Sequence, residues 1–483
     1  MFCIKTRVVR IISKVRIVLS FTLAPSNVKS PSKRGFKKED HMRIKIIVFL
    51  LFSSWLNALA QENWTLKQCI EYGLKNNRNN TIYANQKLAA DAKAKEVLAD
   101  YLPKVSLTST LDNNLKLQQS VIPAGIFGPD ERRISLTQKY NSGAVAQLDQ
   151  VIFDQSMLTG LKANKYSKMQ ADLNIEQSQE AIIYNISTAY FQIFVYNQQL
   201  DLLEYNKGTY EKQMEIYRLQ VNKGTTLQKD LDKVSVDYNN TLSQIRVTQS
   251  NRQLAENELK FEMGFPINDR LHVDASTRME VSVPTNDSIG SFSPASRIDY
   301  KLAELNIKVL EIEQARIKAG GLPKLTGYAR YGAVGFGNTL SGAYDELLPY
   351  SAVGLKLSIP ILDFYKRGAQ SKQAKLNRMN AEENLKLSEG RFKVDYENAH
   401  TKLVQAQANV ENDQRNVTLA ESVLKVTDLQ FQKGTTNLTD WLNTQNSLKE
   451  AQSSYLNSLY SYYQARIDLE KATGTLKTFY NSL

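Results

Sequence analysis

The sequence predicts an internally duplicated α+β membrane protein, with long coiled-coil α-helices and four β-strands per chain that contribute to an oligomeric transmembrane β-barrel. Three observations predict it. A string of short peptides recurs in the same order in both halves. Two long stretches keep an apolar period of about 3.5 residues, and four short ones keep a period of two.

The recurrence is explicit. Lys223-Gly224-Thr225-Thr226 returns 210 residues later as Lys433-Gly434-Thr435-Thr436. Tyr101-Leu102-Pro103-Lys104-Val105 is echoed by Gly321-Leu322-Pro323-Lys324-Leu325, and the stretch from Leu148 to Asp154 by that from Leu357 to Asp363. The Leu-Pro-Lys pair lies 220 residues apart, which places an insertion of about eleven residues between these landmarks in the first half.

Taken in order, the N-terminus reads as a targeting segment. Met42-Arg43-Ile44-Lys45 is basic, Ile46 to Leu56 is mostly apolar, and Ala58-Leu59-Ala60 gives a small-x-small cleavage site before Gln61. Residues 42–60 are therefore expected to be a secretory signal peptide, too short for a comfortable spanning helix and without a lipoprotein cysteine. The basic stretch 1–41 is read either as untranslated sequence ahead of Met42 or as a genuine extension. Of the 61 Lys and Arg, 12 lie in residues 1–60, with only 2 of the 49 Asp and Glu, so the remainder carries +2 against +12 for the whole chain. The basicity belongs to the leader and argues for no nucleic-acid partner. Cys69 has no second cysteine beyond the leader, which excludes an intrachain disulfide framework there.

The first repeat is expected over 61–265. Leu66, Ile70 and Leu74 open a helical face with Thr65 as N-cap. After Pro103 the period becomes two. Val105, Leu107, Leu111, Leu115 and Leu117 alternate with polar residues and predict a strand over about 102–118. Pro123, Gly125, Gly128 and Pro129 predict a loop over 119–139, and a weaker strand returns over about 140–153. Ile182, Ile186, Ala189, Ile193, Tyr196, Leu200 and Leu203 then step by four and three, the spacing of a coiled coil. A helix from about 161 to 221 would be on the order of 90 Å long at 1.5 Å per residue, too long and too polar for a bilayer.

A linker or equatorial segment is expected over 266–296, then the second repeat over 297–476 and a tail of 477–483. Its strands are expected over about 323–335 and 350–361. Its coiled-coil seam runs from Tyr396 to Leu424, broken only by Asp413. The two Lys-Gly-Thr-Thr peptides mark helical tips at 222–227 and 432–438, where Gly stops one helix and the following Thr or Asn can cap the next. Four strands cannot close a barrel, and an open edge cannot face lipid. Three copies give twelve strands, and two copies also give an even number, so closure alone leaves the copy number open.

No enzyme signature is present. Beyond the leader the histidines are His272 and His400, and no G-x-S-x-G, H-E-x-x-H, Walker A or G-x-G-x-x-G string occurs. The methionines form no soft-ligand ladder, so no metal or cofactor is implied.

Order and duplication together resemble the TolC-type outer-membrane efflux and secretion channels over roughly residues 64–476. The stretches from Trp64 to Asn77 and from Arg297 to Leu305 carry the resemblance, with both Leu-Pro-Lys openings, Ile359 to Asp363 and both Gly-Thr-Thr tips followed by Asp. It implies a homotrimer with a 12-stranded barrel in outer-membrane lipid and a helical tunnel crossing the periplasm. It also implies that the tips dock on a periplasmic adaptor linked to an inner-membrane transporter. The docking residues it implies are Lys223, Gly224, Thr225, Thr226, Leu227 and Asp230 in the first tip, and Lys433, Gly434, Thr435, Thr436 and Leu438 in the second. Asp440 matches one carboxylate of a ring at the tunnel constriction, and Asn443 stands where a second is expected. Asp230 matches the acidic partner of a closing link, but Thr436 and Phe431 stand in place of its Arg and Tyr partners. The rival expectation is a soluble periplasmic coiled-coil structural or adaptor protein, against which the four alternating strands speak.

Overall fold

The computed structural model describes residues 63–126, 128–274 and 292–483, and the compact unit among them is Asn63–Leu483. The expected signal peptide, the stretch before it and the middle of the linker lie outside the described residues.

The chain opens with β1 (Asn63–Trp64), α1 (Leu66–Asn76) and α2 (Arg78–Ala99). It continues through β2 (Lys104–Asn113), β3 (Gln119–Ile122), β4 (Arg132–Ser135) and β5 (Tyr140–Phe153). The first half then ends in α3 (Gln155–Leu161), the 60-residue α4 (Ala163–Asn222) and α5 (Gln228–Met263). After β6 (His272–Val273), paired in parallel with β1, and a 3-10 turn at Pro294–Ser296, the order repeats. It runs α6 (Ile298–Ala319), β7 (Lys324–Gly337), the short α7 (Gly342–Asp345), β8 (Leu347–Ser358), the 67-residue α8 (Lys366–Gln432) and α9 (Leu438–Thr473), and α10 (Leu476–Ser482) closes it. The start of α1 is fixed by a capping box. Thr65 Oγ1 accepts from the Gln68 amide, and the Gln68 side chain accepts from the Thr65 amide at 2.9 Å.

β2, β5, β7 and β8 form one antiparallel sheet in that order. Its register sorts the side chains into two faces, because residues paired across strands share a face and successive residues alternate. Val105 pairs with Leu148, Leu148 with Ala329 and Ala329 with Val353, so one face carries a row of apolar groups across all four strands. Leu107, Ala146 and Tyr331 extend that face. On the other, Ser106 pairs with Gln147 and Gln147 with Arg330, and Lys104 pairs with Asp149. Leu107 is 76% and Val353 is 87% exposed, so the apolar face is bare in the single chain.

The loop expected over 119–139 is corrected in part. Its middle is a hairpin in which β3 and β4 pair from Gln119–Ser135 to Ile122–Arg132. The breakers Pro123, Gly125, Gly128 and Pro129 occupy only its turn, where the Gly125 amide donates to the Gly128 carbonyl at 2.8 Å. Val121, Ile122 and Ile134 suit a pleated surface and let the flanks pair. The matching end of the second half is tighter. α7 folds back on the sheet, Ala343 is buried, and the Ser142 hydroxyl donates to its carbonyl.

α4 packs along α5, and α8 along α9, as two antiparallel pairs. The 4-3 seam of α4 is buried at Ile182, Ile186, Ala189, Ile193, Leu200 and Leu203. The main core joins the Ile182–Ile193 part of this seam to Leu66 and Ile70 of α1, Leu259 and Met263 of α5, Leu403 and Val410 of α8, and Tyr462 and Ile467 of α9, while Leu200 and Leu203 pack separately with Ile245 of α5. Asp413, the one acid in the second seam, accepts a hydrogen bond from the Ser458 hydroxyl of α9.

Leu107→Arg, on the apolar face, is expected to destabilise the membrane-inserted protein by about 2–4 kcal/mol, while Thr108→Arg on the other face costs about 1 kcal/mol or less. Denaturant unfolding in lipid vesicles measures both, and equal costs would reject the assignment of the faces.

Candidate functional site

The two tips are near copies. Lys223 is the C-cap of α4 and Lys433 that of α8, followed by Gly224 and Gly434 at φ of +73° and +72°. A residue with a Cβ is strained in that left-handed conformation, which is why glycine recurs. The Thr225 amide and hydroxyl donate to the Gln220 carbonyl at 2.9 and 3.0 Å, and Thr435 makes the same pair to Gln430 at the same distances. With the Gly224 amide on the Val221 carbonyl and the Gly434 amide on that of Phe431, these bonds satisfy carbonyls of the last turn of each long helix. Capping of the helices that follow is asymmetric. Asn437 caps α9, its Oδ1 accepting from the Asp440 amide at 2.9 Å. α5 starts at Leu227 with no side-chain cap, so the capping role expected of the Thr in the first tip is not filled.

The second tip's carboxylate is held locally. Asp440 Oδ2 accepts from Asn437 Nδ2 at 2.9 Å and from the Thr436 hydroxyl at 3.2 Å. It also lies in the first turn of α9, where the helix dipole favours an anion. Asp440, Asn443, Ser447 and Glu450 are all exposed, and their spacing of three, four and three puts them on one face of α9. Asp230 faces Lys233 of its own helix at 3.7 Å. Lys233 Nζ in turn donates to the Thr439 hydroxyl at 3.1 Å and ties the two tips together.

The sequence reading missed what holds the tips in place. Tyr210, Tyr217, Val234, Leu438, Trp441 and Leu442 form a buried cluster that joins both helix pairs. Phe431, at the position where the closing link lacks its partner, stacks on Trp441 at 5.7 Å and on Tyr217 at 6.4 Å. The Trp441 indole N–H donates to Asp428 Oδ1 at 3.2 Å. The step of four and three from Tyr210 through Met214 to Tyr217 was the available signal, since it marks one helical face ending at the tip. Of the expected docking residues, Leu438 is buried in this cluster, whereas Leu227 is 61% exposed.

A second polar concavity, about 420 Å³, lies at the level of the main core, with Glu180, Tyr184, Glu262, Arg297, Asp299 and Lys471 among its lining residues. Burial pushes the Glu180 and Glu262 carboxyls above their ordinary range. Among the described residues no group of His, Cys, Asp and Glu is placed to hold a metal ion.

Residues 78–264 and 296–475 match the family described as Outer membrane efflux protein. This chain belongs to that family. The chain is 21% identical over 443 residues to Outer membrane protein TolC of Vibrio cholerae, covering 90% of this chain and 96% of that protein. It is 24% identical over 350 residues to Outer membrane protein TolC of Escherichia coli, covering 69% of this chain and 70% of that protein. The crystal structure of the outer membrane protein VceC of Vibrio cholerae superposes with a TM-score of 0.66 at 16% identity, over 85% of this chain and 96% of that one. The efflux protein is therefore a non-enzymatic duct of the outer membrane that extends into the periplasm.

Trp441→Ala in this efflux protein is expected to cost about 3–5 kcal/mol of local stability, because a buried ring shared by two tips is lost. Hydrogen exchange at the amides around Gly224 and Gly434 reads the loss, and protection unchanged in both tips would show that the cluster does not hold them. Glu180→Gln is expected to raise the thermal midpoint at neutral pH. A carboxyl with a raised folded pKa binds its proton more tightly in the native state, so its destabilisation grows as pH rises through that pKa. The gain should shrink as pH falls toward about 4, and a gain that does not vary with pH would refute the cause.

Proposed function

We propose that three copies of this chain assemble into a passive exit duct for a tripartite efflux pump or a type I secretion system. Four strands from each copy make a barrel of twelve in the outer membrane. The helix pairs, roughly 90–100 Å long at 1.5 Å per residue, carry the passage through the periplasm.

The observation that carries this reading is the four-stranded sheet, whose edge strands β2 and β8 have no further partner among the described residues. In lipid every backbone N–H and C=O must be paired, so the edges call for neighbouring copies. The strand directions alternate along β2-β5-β7-β8, so β8 of one copy meets β2 of the next antiparallel for any number of copies. Three is the number that the family resemblance favours.

The tips are assigned to docking on a periplasmic adaptor, which joins the duct to an inner-membrane transporter that supplies the energy. The exposed residues Lys223, Thr225, Leu227, Lys433 and Thr435 are the contact surface, and the twin glycines hold its shape. Asp440 is assigned to the gate with Asn443 beside it. Under three-fold symmetry three carboxylates surround one axis, which attracts cations and repels anions.

Electron microscopy of the detergent-extracted protein, with its mass in solution, tests the assembly: a three-fold particle with a long tube is expected, and a single-chain mass with no barrel would overturn it. In planar bilayers Asp440→Asn is expected to lower cation selectivity and weaken block by polyvalent cations, with conductance retained. Unchanged selectivity and block would remove Asp440 from the gate.

A further inference from the structure

The two halves leave the sheet differently. After β5, Asp154 caps α3 in an ordinary extended conformation, accepting from the Met157 amide at 3.1 Å and pairing with Lys324 at 3.1 Å. After β8, the matching bend places Phe364 and Tyr365 at φ of +41° and +70°, and α8 begins with no side-chain cap. Two consecutive aromatic residues are thus held in a conformation that disfavours side chains, and both are exposed, at 78% and 89%.

Their position explains what they face. Val353, Leu355 and Leu357 lie on the apolar side of β8, and the same step of two continues past the end of the ladder to Ile359 and Ile361, the latter 92% exposed. The bend is therefore continuous with the face that the membrane covers. The long helices leave the sheet from this end and run into the periplasm, so the bend lies level with the periplasmic leaflet. The next turns are basic. Lys366, Arg367, Lys372, Lys375 and Arg378 occur with no Asp or Glu from 364 to 381. Arg367 is taken by Asp363 and Arg378 by Glu382, while Lys366, Lys372 and Lys375 are exposed and have no ion-pair partner among the described residues.

We propose that residues 359–365 and the first three turns of α8 form a binding site for anionic phospholipid headgroups of the periplasmic leaflet. Phe364 and Tyr365 enter the headgroup layer, where aromatic rings are favoured. Lys366, Lys372 and Lys375 follow on the water side and meet lipid phosphates, an arrangement favoured wherever cations flank a membrane surface. Each chain carries one such site, because only its second half has the aromatic bend. The inference goes beyond the duct reading and needs only the membrane placement of the sheet, not the gate or the docking of the tips.

The test is native mass spectrometry of the full chain in uncharged detergent, titrated in parallel with phosphatidylglycerol and with phosphatidylcholine. The wild-type protein should retain phosphatidylglycerol in preference, and 0.5 M salt before desalting should weaken that preference. At about fivefold per lysine, Lys366→Gln with Lys372→Gln and Lys375→Gln should lower phosphatidylglycerol binding at least tenfold and leave phosphatidylcholine unchanged. Phe364→Ser with Tyr365→Ser should lower binding of both lipids while the assembly keeps its mass. Equal retention of the two lipids by the wild type, or phosphatidylglycerol binding unchanged in the lysine variant, would overturn the proposal. So would dispersal of the aromatic variant into single chains, which would make the bend a contact between copies.

Discussion

Backbone hydrogen bonding in a medium without water is the constraint on which the rest of this structure depends. A sheet of four strands leaves two rows of unpaired amides and carbonyls, each costly to desolvate. The proposed duct resolves this by presenting the edges to other copies. That choice dictates an even strand count per chain, alternating strand directions and a register that keeps one face apolar across every joint. A shift of one residue in any ladder would turn the row Val105–Leu148–Ala329–Val353 inward and bring Ser106, Gln147 and Arg330 against lipid.

Below the membrane the problem reverses. The helices satisfy their own backbones and must instead bury a narrow apolar seam over tens of residues. The main core achieves this where α1, α5 and α9 gather around the middle of α4. Away from it the pairs are thinner, and the tips need a separate anchor. Trp441 supplies it by contacting aromatic residues of both pairs. The duplicated tips therefore share their backbone chemistry at Gly224 and Gly434, but not their side-chain packing, which is concentrated around one tryptophan.

Most of the architecture was legible in the sequence because it rests on period. A 3.5-residue seam, a two-residue alternation and a glycine that ends a helix are local patterns, and α4, α8, the four strands and the tips follow them. Three things were not legible. The β3–β4 hairpin was hidden by the four breakers of its turn, which outweigh eight flanking strand residues in a local reading. The assignment of residues to the two faces needed the cross-strand register, which no single strand contains. The tip cluster joins Tyr210 to Trp441 across more than two hundred residues, a pairing set by tertiary packing alone. At the candidate gate, Asp440 was named only through the family resemblance, and its two hydrogen-bond donors, Thr436 and Asn437, were not foreseen.

The lone acid in the second seam has a mechanical meaning. Asp413 is paired with the Ser458 hydroxyl, and a slip of α8 against α9 by one heptad in either direction would set its carboxylate opposite Ala451 or Ala465, neither of which can donate. The apolar seam alone repeats every seven residues and does not by itself single out one register. The aspartate makes the seam unique, like a keyed joint. The five-residue tip 433–437 ties α8 to α9 at one end, and Asp413 repeats that check on their register some twenty residues up the seam.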